Sequence, residues 1–225
     1  KITSPILKDK LLISAALRGG FTDFLFPVFV KRLKNTKANF YDGTMKLLYI
    51  INENNQFSYN YFLSNDFYQL DLISNIEKIN SEFNQYDFET SNHTFKWIHN
   101  FKNNTTLKSL YVNSTYLPKN LFPEFNSNNV IVFKSRVNYS SFQSEYSDNR
   151  GEKFNYYLGI QTKKYNILPG SLSPGNGNSV TPVNLEKENS LDFSSYFNIN
   201  LNPSKNLSFS LGLRHTLFNF LGPFT

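Results

Sequence analysis

The 225-residue chain has no cysteine, one tryptophan, one methionine and only three alanines. Without Cys there can be no disulfide framework, no thiolate-held zinc or iron–sulfur centre and no thiol nucleophile. The scarcity of Ala, set against 32 Asn, argues against long helices: Ala is the best helix former, and Asn competes with the helix backbone for hydrogen bonds. Long apolar runs are missing too. The stretch over residues 24–30 is broken by Pro27 and falls far short of the roughly 20 residues that a spanning helix needs, which excludes a helical membrane protein. The first ten residues lack the apolar centre and small-residue cleavage site of a secretory leader. Neither sign of charge dominates. The 23 basic and 17 acidic residues are scattered along the chain, whereas nucleic-acid binding wants a concentrated basic face, so no nucleic-acid partner is expected.

What is abundant is aromatic: 23 Phe and 14 Tyr, 17% of the chain with the tryptophan. Leu, Ile, Val and Phe together make about 31%, above the roughly 20% below which disorder becomes the default, so the chain folds. Its apolar supply is nevertheless thin for a globular core.

Alternation with period two runs through the sequence. Phe57, Tyr59, Tyr61 and Leu63 alternate with Ser58, Asn60, Phe62 and Ser64. Ile131, Phe133, Val137 and Tyr139 alternate with Lys134, Arg136, Asn138 and Ser140, and Leu207, Phe209, Leu211 and Leu213 with Ser208, Ser210, Gly212 and Arg214. Such a pattern makes two-faced strands. It predicts nine of them, over residues 10–20, 39–52, 56–68, 87–101, 105–117, 129–142, 152–167, 185–201 and 207–218. Most exceed ten residues. Soluble strands average about five or six, whereas a tilted strand crossing a bilayer needs about nine to eleven.

The connections sort into two alternating kinds. Residues 52–55, 102–104, 143–151 and 202–206 are short polar turns; residues 21–38, 69–86, 118–128 and 168–184 are long loops, the last containing a Pro/Gly/Ser-rich stretch over 169–178. Short turns at one end and long loops at the other mark an all-β, antiparallel, up-and-down transmembrane barrel. A soluble sandwich also alternates, but it turns its apolar face inward. An outer-membrane barrel turns that face to lipid and lines its lumen with polar residues, and the lumen-facing candidates are Asp42, Thr44, Lys46, Lys96, Arg136 and Arg214. Weak helical patterns run through Phe21, Phe24, Leu25, Val28 and Phe29, and through Leu70, Ile73, Ile76 and Phe83.

Catalytic chemistry is not expected. His93 and His99 share a strand face but stand about 20 Å apart at ~3.3 Å per residue, too far for one metal ion, and no Gly-x-Ser-x-Gly nucleophile turn occurs. The Asn-x-Ser/Thr triplets at Asn92, Asn113 and Asn138 fall inside predicted strands, not loops. No catalytic residue, metal or cofactor is assigned.

Two stretches carry a resemblance. The opening Ser4-Pro5-Ile6-Leu7-Lys8-Asp9-Lys10, with the strand that follows, resembles the Gly-Pro-Ile-x-Lys-Asp-Lys turn of TonB-dependent outer-membrane receptors of Bacteroidota, with Ser4 in the place of Gly. The closing run from Pro203 to Thr216, with its Gly-Leu-Arg at 212–214 and Gly222-Pro223 beyond, is similar to a turn, strand and loop start further along the same barrels. The resemblance implies an internal piece of a larger barrel, incomplete at both ends, with the N-terminal plug and the remaining strands elsewhere in the same or an associated chain. It implies a place in the outer membrane of a Gram-negative bacterium of the Bacteroidota. Its partners there are outer-membrane lipid, TonB reached through the missing region and a SusD-like lid lipoprotein. The implied function is import of bulky nutrients such as glycans, peptides or metal chelates. A receptor-like barrel serving as structural subunit of a larger outer-membrane assembly or secretion machine, and a passive porin, stay open as alternatives. An odd count of nine strands leaves the first and last ending on opposite sides.

Overall fold

The computed structural model describes residues 1–23, 25–29, 36–70, 84–123, 130–149, 151, 153–174 and 180–220. They form one eleven-stranded antiparallel sheet. Its strands are β1 (Ile2–Leu7), β2 (Leu11–Phe21), β3 (Lys37–Asn52), β4 (Asn55–Leu70), β5 (Asn84–Asn100), β6 (Thr105–Pro123), β7 (Val130–Asp148), β8 (Phe154–Pro174), β9 (Val183–Asn184), β10 (Glu188–Ser204) and β11 (Leu207–Phe220), with a single four-residue helix, α1 (Phe26–Phe29). Each strand pairs with its sequence neighbours in the order β1 to β8, then β10 and β11; the two-residue β9 pairs off the path with the end of β8. Among the described residues the sheet is open, with β1 and β11 as its edges.

All nine expected strands are present, and most run further than the alternation suggested. β6 reaches Pro123, β7 reaches Asp148 and β8 reaches Pro174. Residues 143–148, expected as a turn, are strand because Gln143, Glu145 and Ser147 hold one face while Ser144 and Tyr146 hold the other, each paired with β6. Residues 169–174, expected as loop, continue β8 past an irregularity in register opposite Lys134 and Arg136; a bulge is where a ladder accommodates Pro. The rest of that stretch, 175–178, lies outside the described residues, as do the second helical pattern over 71–83 and Gly222-Pro223. The opening motif is itself a strand, with Pro5 opposite Leu12 on the sheet edge, where a missing N–H is tolerated. The path therefore has ten strands instead of nine, with β1 running towards the short turns and β11 away from them.

The turns follow from local chemistry. Asp9 and Asn104 adopt φ of 58° and 55°, the left-handed region that Asp and Asn enter most readily after Gly. At the β3–β4 turn the Asn52 side chain accepts from the Asn54 N–H at 3.0 Å, an Asx turn. At the other end Asp23 accepts from the Ala38 N–H at 2.8 Å and from the Asn39 amide at 3.2 Å, tying the chain beyond β2 to the start of β3.

Register fixes which residues share a face, because directly opposed residues of an antiparallel pair point the same way. The row Arg18–Asp42–Ser64–Thr90–Tyr116–Val137–Ile167–Glu188 crosses eight strands. It starts within β2 and ends on the first residue of β10, so successive strands are staggered, as the staves of a barrel must be.

The layer has no core. Among the described residues no apolar side chain is buried, while Ser58 and Ser194 are 2% and 0% exposed and Leu17 and Leu213 are 88% and 80% exposed. On one face, near the short turns, aromatic rings form a continuous chain: Trp97 to His99 at 6.0 Å, His99 to Phe101 at 4.4 Å, Phe101 to Tyr146 at 6.2 Å, Tyr146 to Tyr156 at 6.4 Å and Tyr156 to Phe197 at 6.2 Å. Leu47, Ile160, Ile199 and Leu213 share that face. The opposite face is polar, and there three aromatic rings lie over glycines of the neighbouring strand. A Cβ on Gly20, Gly159 or Gly170 would stand 2.3–2.4 Å from Phe40, Tyr196 or Phe133, so only Gly fits beneath each ring.

Candidate functional site

The polar face is the candidate site. Five of the six residues expected there share it. Arg18 Nη2 lies 2.6 Å from Asp42 Oδ2 and its Nε donates to the same oxygen at 2.7 Å, with the guanidinium 5.3 Å from the Phe40 ring. Thr44 stands between Ala16 and Phe62, Lys46 between Ser14 and Asn60, and Lys96 between Ser58 and Leu110.

Arg214 sits in the most connected part of the face. Its Nη2 donates to Gln161 Oε1 at 2.9 Å and to Ser194 Oγ at 3.2 Å, and the guanidinium lies 5.8 Å from the Tyr196 ring. Tyr196 donates to Glu145 at 2.8 Å and accepts from Gln143 at 2.9 Å. Asn198 donates to Tyr157 at 2.6 Å, and Lys163 pairs with Asp192 at 3.8 Å. Together Gln143, Glu145, Tyr157, Gln161, Tyr196 and Arg214 line a recess of about 440 Å³. Gly159 makes it possible, since its lack of a side chain admits the Tyr196 ring. Such a surface can hydrogen-bond water, another protein surface or a polar solute.

Arg136 is a correction. The ladder places it on the apolar face, opposite Leu168 of β8 and beside Leu117 of β6, because β7 reverses its sidedness along its length. Near the short turn, Phe142 and Tyr146 face the apolar side while Gln143 and Glu145 face the polar one. Towards the far end, Val137 and Tyr139 share the polar side with Thr90 and Ser141, and Lys134 and Arg136 take the other. Alternation within 131–140 was real, but its apolar members lie on the face that is polar elsewhere.

Two features leave no local signal in the sequence. The glycine–aromatic pairs leave no local signal, since each joins residues of two strands. The Tyr196 network likewise draws on four strands. The ring chain beside the short turns was not foreseen, although Trp97, Tyr146 and Tyr156 each sit within three or four residues of a turn. His93 and His99 lie on the apolar face, with Nδ1 2.9 Å from the Tyr59 hydroxyl and 2.8 Å from Asn55 Oδ1 respectively.

No family model and no curated protein matches the chain. Solved structures do. The chain superposes on FpvA of P. aeruginosa, in a structure with heterologous pyoverdines, with a TM-score of 0.74 at 11% identity, covering 98% of this chain and 35% of that one. The alcaligin outer-membrane receptor FauA from Bordetella pertussis gives 0.65 at 8% identity, covering 98% and 35%. BauA, the ferric preacinetobactin receptor from Acinetobacter baumannii, gives 0.63 at 12% identity, covering 94% and 37%. The chain spans about a third of the length of these solved chains. At such identities the likeness speaks for fold, and the fold is that of consecutive staves in the wall of an outer-membrane receptor barrel.

Proposed function

We propose that these strands are part of the outer-membrane barrel of a TonB-dependent receptor that imports bulky nutrients, with the apolar face against lipid and the polar face lining the lumen. One observation carries this reading: a single sheet layer whose apolar side chains are exposed while its fully buried side chains are serines. In water such a layer would leave its apolar face uncovered, whereas a bilayer supplies the missing solvent. Strands of 14–21 residues support it, since about nine to eleven suffice to cross and the remainder stands beyond the hydrocarbon. The aromatic chain beside the short turns is where an interfacial girdle belongs.

The Tyr196–Glu145–Arg214 network is then a lumen surface for the plug or for passing solute. A metal chelate is the substrate class nearest to the alcaligin and ferric preacinetobactin for which FauA and BauA are named; glycan and peptide keep their place beside it. A Bacteroidota source, a SusD-like lid and TonB as energy donor follow from the opening and closing motifs.

The test is uptake by cells lacking the gene. Growth on a ferric chelate, an oligosaccharide or a peptide as sole source should fail for one of the three, and an uncoupler should abolish that uptake in the parent strain. Unchanged uptake of all three, with stoichiometric co-purification of secretion or assembly proteins, would replace transport by a scaffold role. Steady ion conductance insensitive to the uncoupler would make it a porin.

A further inference from the structure

At the long-loop ends of β3, β4 and β5 the polar face turns aromatic. Phe40, Tyr68, Tyr86 and Phe88 share it, with Tyr68 6.4 Å from Tyr86 and Tyr86 6.5 Å from Phe88. One carboxylate stands among these rings. Asp66 of β4 directly opposes Phe40 of β3 on one side and Phe88 of β5 on the other, so a phenyl group flanks it across each strand spacing of about 4.8 Å. Phe40, Asp66, Tyr68 and Phe88 line a pocket of about 270 Å³. Phe40 leans away from Asp66, over Gly20 of β2, which leaves the space above the carboxylate open.

The neighbouring seat shows what such a carboxylate takes. On the β2 side of Phe40, Arg18 pairs with Asp42 at 2.6 Å while its guanidinium lies 5.3 Å from the Phe40 ring, so a carboxylate and an aromatic ring hold one cation together. Asp66 offers the same two kinds of partner without the cation. No hydrogen bond or ion pair joins it to another described residue. The next cation of β3 on this face, Lys46, stands six residues beyond Phe40, about 20 Å away at ~3.3 Å per residue.

Resting on the reading of this face as the lumen, we propose that the pocket binds the ammonium group of a passing solute, which selects a cationic peptide from the three nutrient classes. The Asp66 carboxylate pairs with the charge. Phe88 and Tyr68 receive it on their rings and cover the methylenes behind it. A neutral glycan makes no use of the Asp66 charge, and a chelate presenting carboxylates is repelled by it.

The full-length protein in dodecyl maltoside is titrated, by fluorescence anisotropy, with a short peptide carrying a neutral fluorophore, blocked at both ends, whose single charge is a central lysine. Its counterpart has norleucine there, which keeps the methylenes and loses the ammonium. The lysine peptide should bind about tenfold tighter. Asp66→Asn should bring the two peptides within about twofold of each other while the norleucine peptide binds as before, and Phe88→Leu should weaken the lysine peptide about threefold. Equal affinities in the wild type, or a lysine preference that survives Asp66→Asn, would overturn the proposal. The lumen reading is checked separately in vesicles, in a background free of other cysteines: Ser64→Cys should react with a water-soluble maleimide and Leu213→Cys should not. Reaction at position 213 in place of 64 would sink the lumen reading, whereas the expected labelling without a lysine preference would sink the pocket alone.

Discussion

On the apolar face, β10 and β11 present Phe197, Ile199, Leu211 and Leu213, while the same face of β6 and β7 presents Ser109, Asn113, Thr115, Asn138, Ser140 and Ser144. The second panel is held differently. Its polar groups close on one another across the strand pair: Ser109 with Ser144 at 3.1 Å, Asn113 with Ser140 at 2.9 Å and Thr115 with Asn138 at 3.1 Å. On the proposed lipid-facing reading, the sheet tolerates these polar side chains because they find partners within the sheet, and hydrocarbon penalises the unmade hydrogen bond more than the polar atom itself.

The contrast can be broken from either side, and the largest effect belongs to the apolar panel. Leu213→Arg, near the middle of the band, should lower unfolding stability by about 2–4 kcal/mol, read from guanidinium titrations of the full-length protein in vesicles. A change under half a unit would mean that this panel is not lipid-facing. Next comes the polar panel. Asn113→Ala strands the Ser140 hydroxyl and should cost about 1–3 kcal/mol, while Asn113→Ala with Ser140→Ala should recover most of it; additive losses would show that the pair is not coupled. The smallest effect is on the opposite face. Arg18→Ala removes an ion pair in which the Arg18 side chain is 73% exposed, and should cost about 0.2–1 kcal/mol, shrinking as salt is added.

The same contrast explains how far the sequence could be read. Where the apolar face is uninterrupted, as in Leu207, Phe209, Leu211 and Leu213, alternation located both the strand and its sides. Where it is replaced by paired Ser, Thr and Asn, the strand could still be found but its sides could not, and Arg136 went to the wrong one. Strand ends were underestimated for a related reason. Towards their ends β6, β7 and β8 lose the two-sided pattern, so Pro118, Gln143 and Pro169 looked like loop or turn residues while the ladder ran on through or past them. The Arg214 contacts with Gln161 and Ser194, and the seats of Phe40, Tyr196 and Phe133, depend on inter-strand register, which no local pattern encodes.

The glycines under those three rings decide more than packing. An aromatic side chain that stands upright on the polar face takes up several ångströms of whatever space that face encloses, whereas one lying across a neighbouring Gly takes up little more than the thickness of its ring. If the polar face bounds a passage, Gly20, Gly159 and Gly170 act as gauges of its calibre. On that reading, replacing any one by alanine would narrow the bore by lifting its ring away from the sheet.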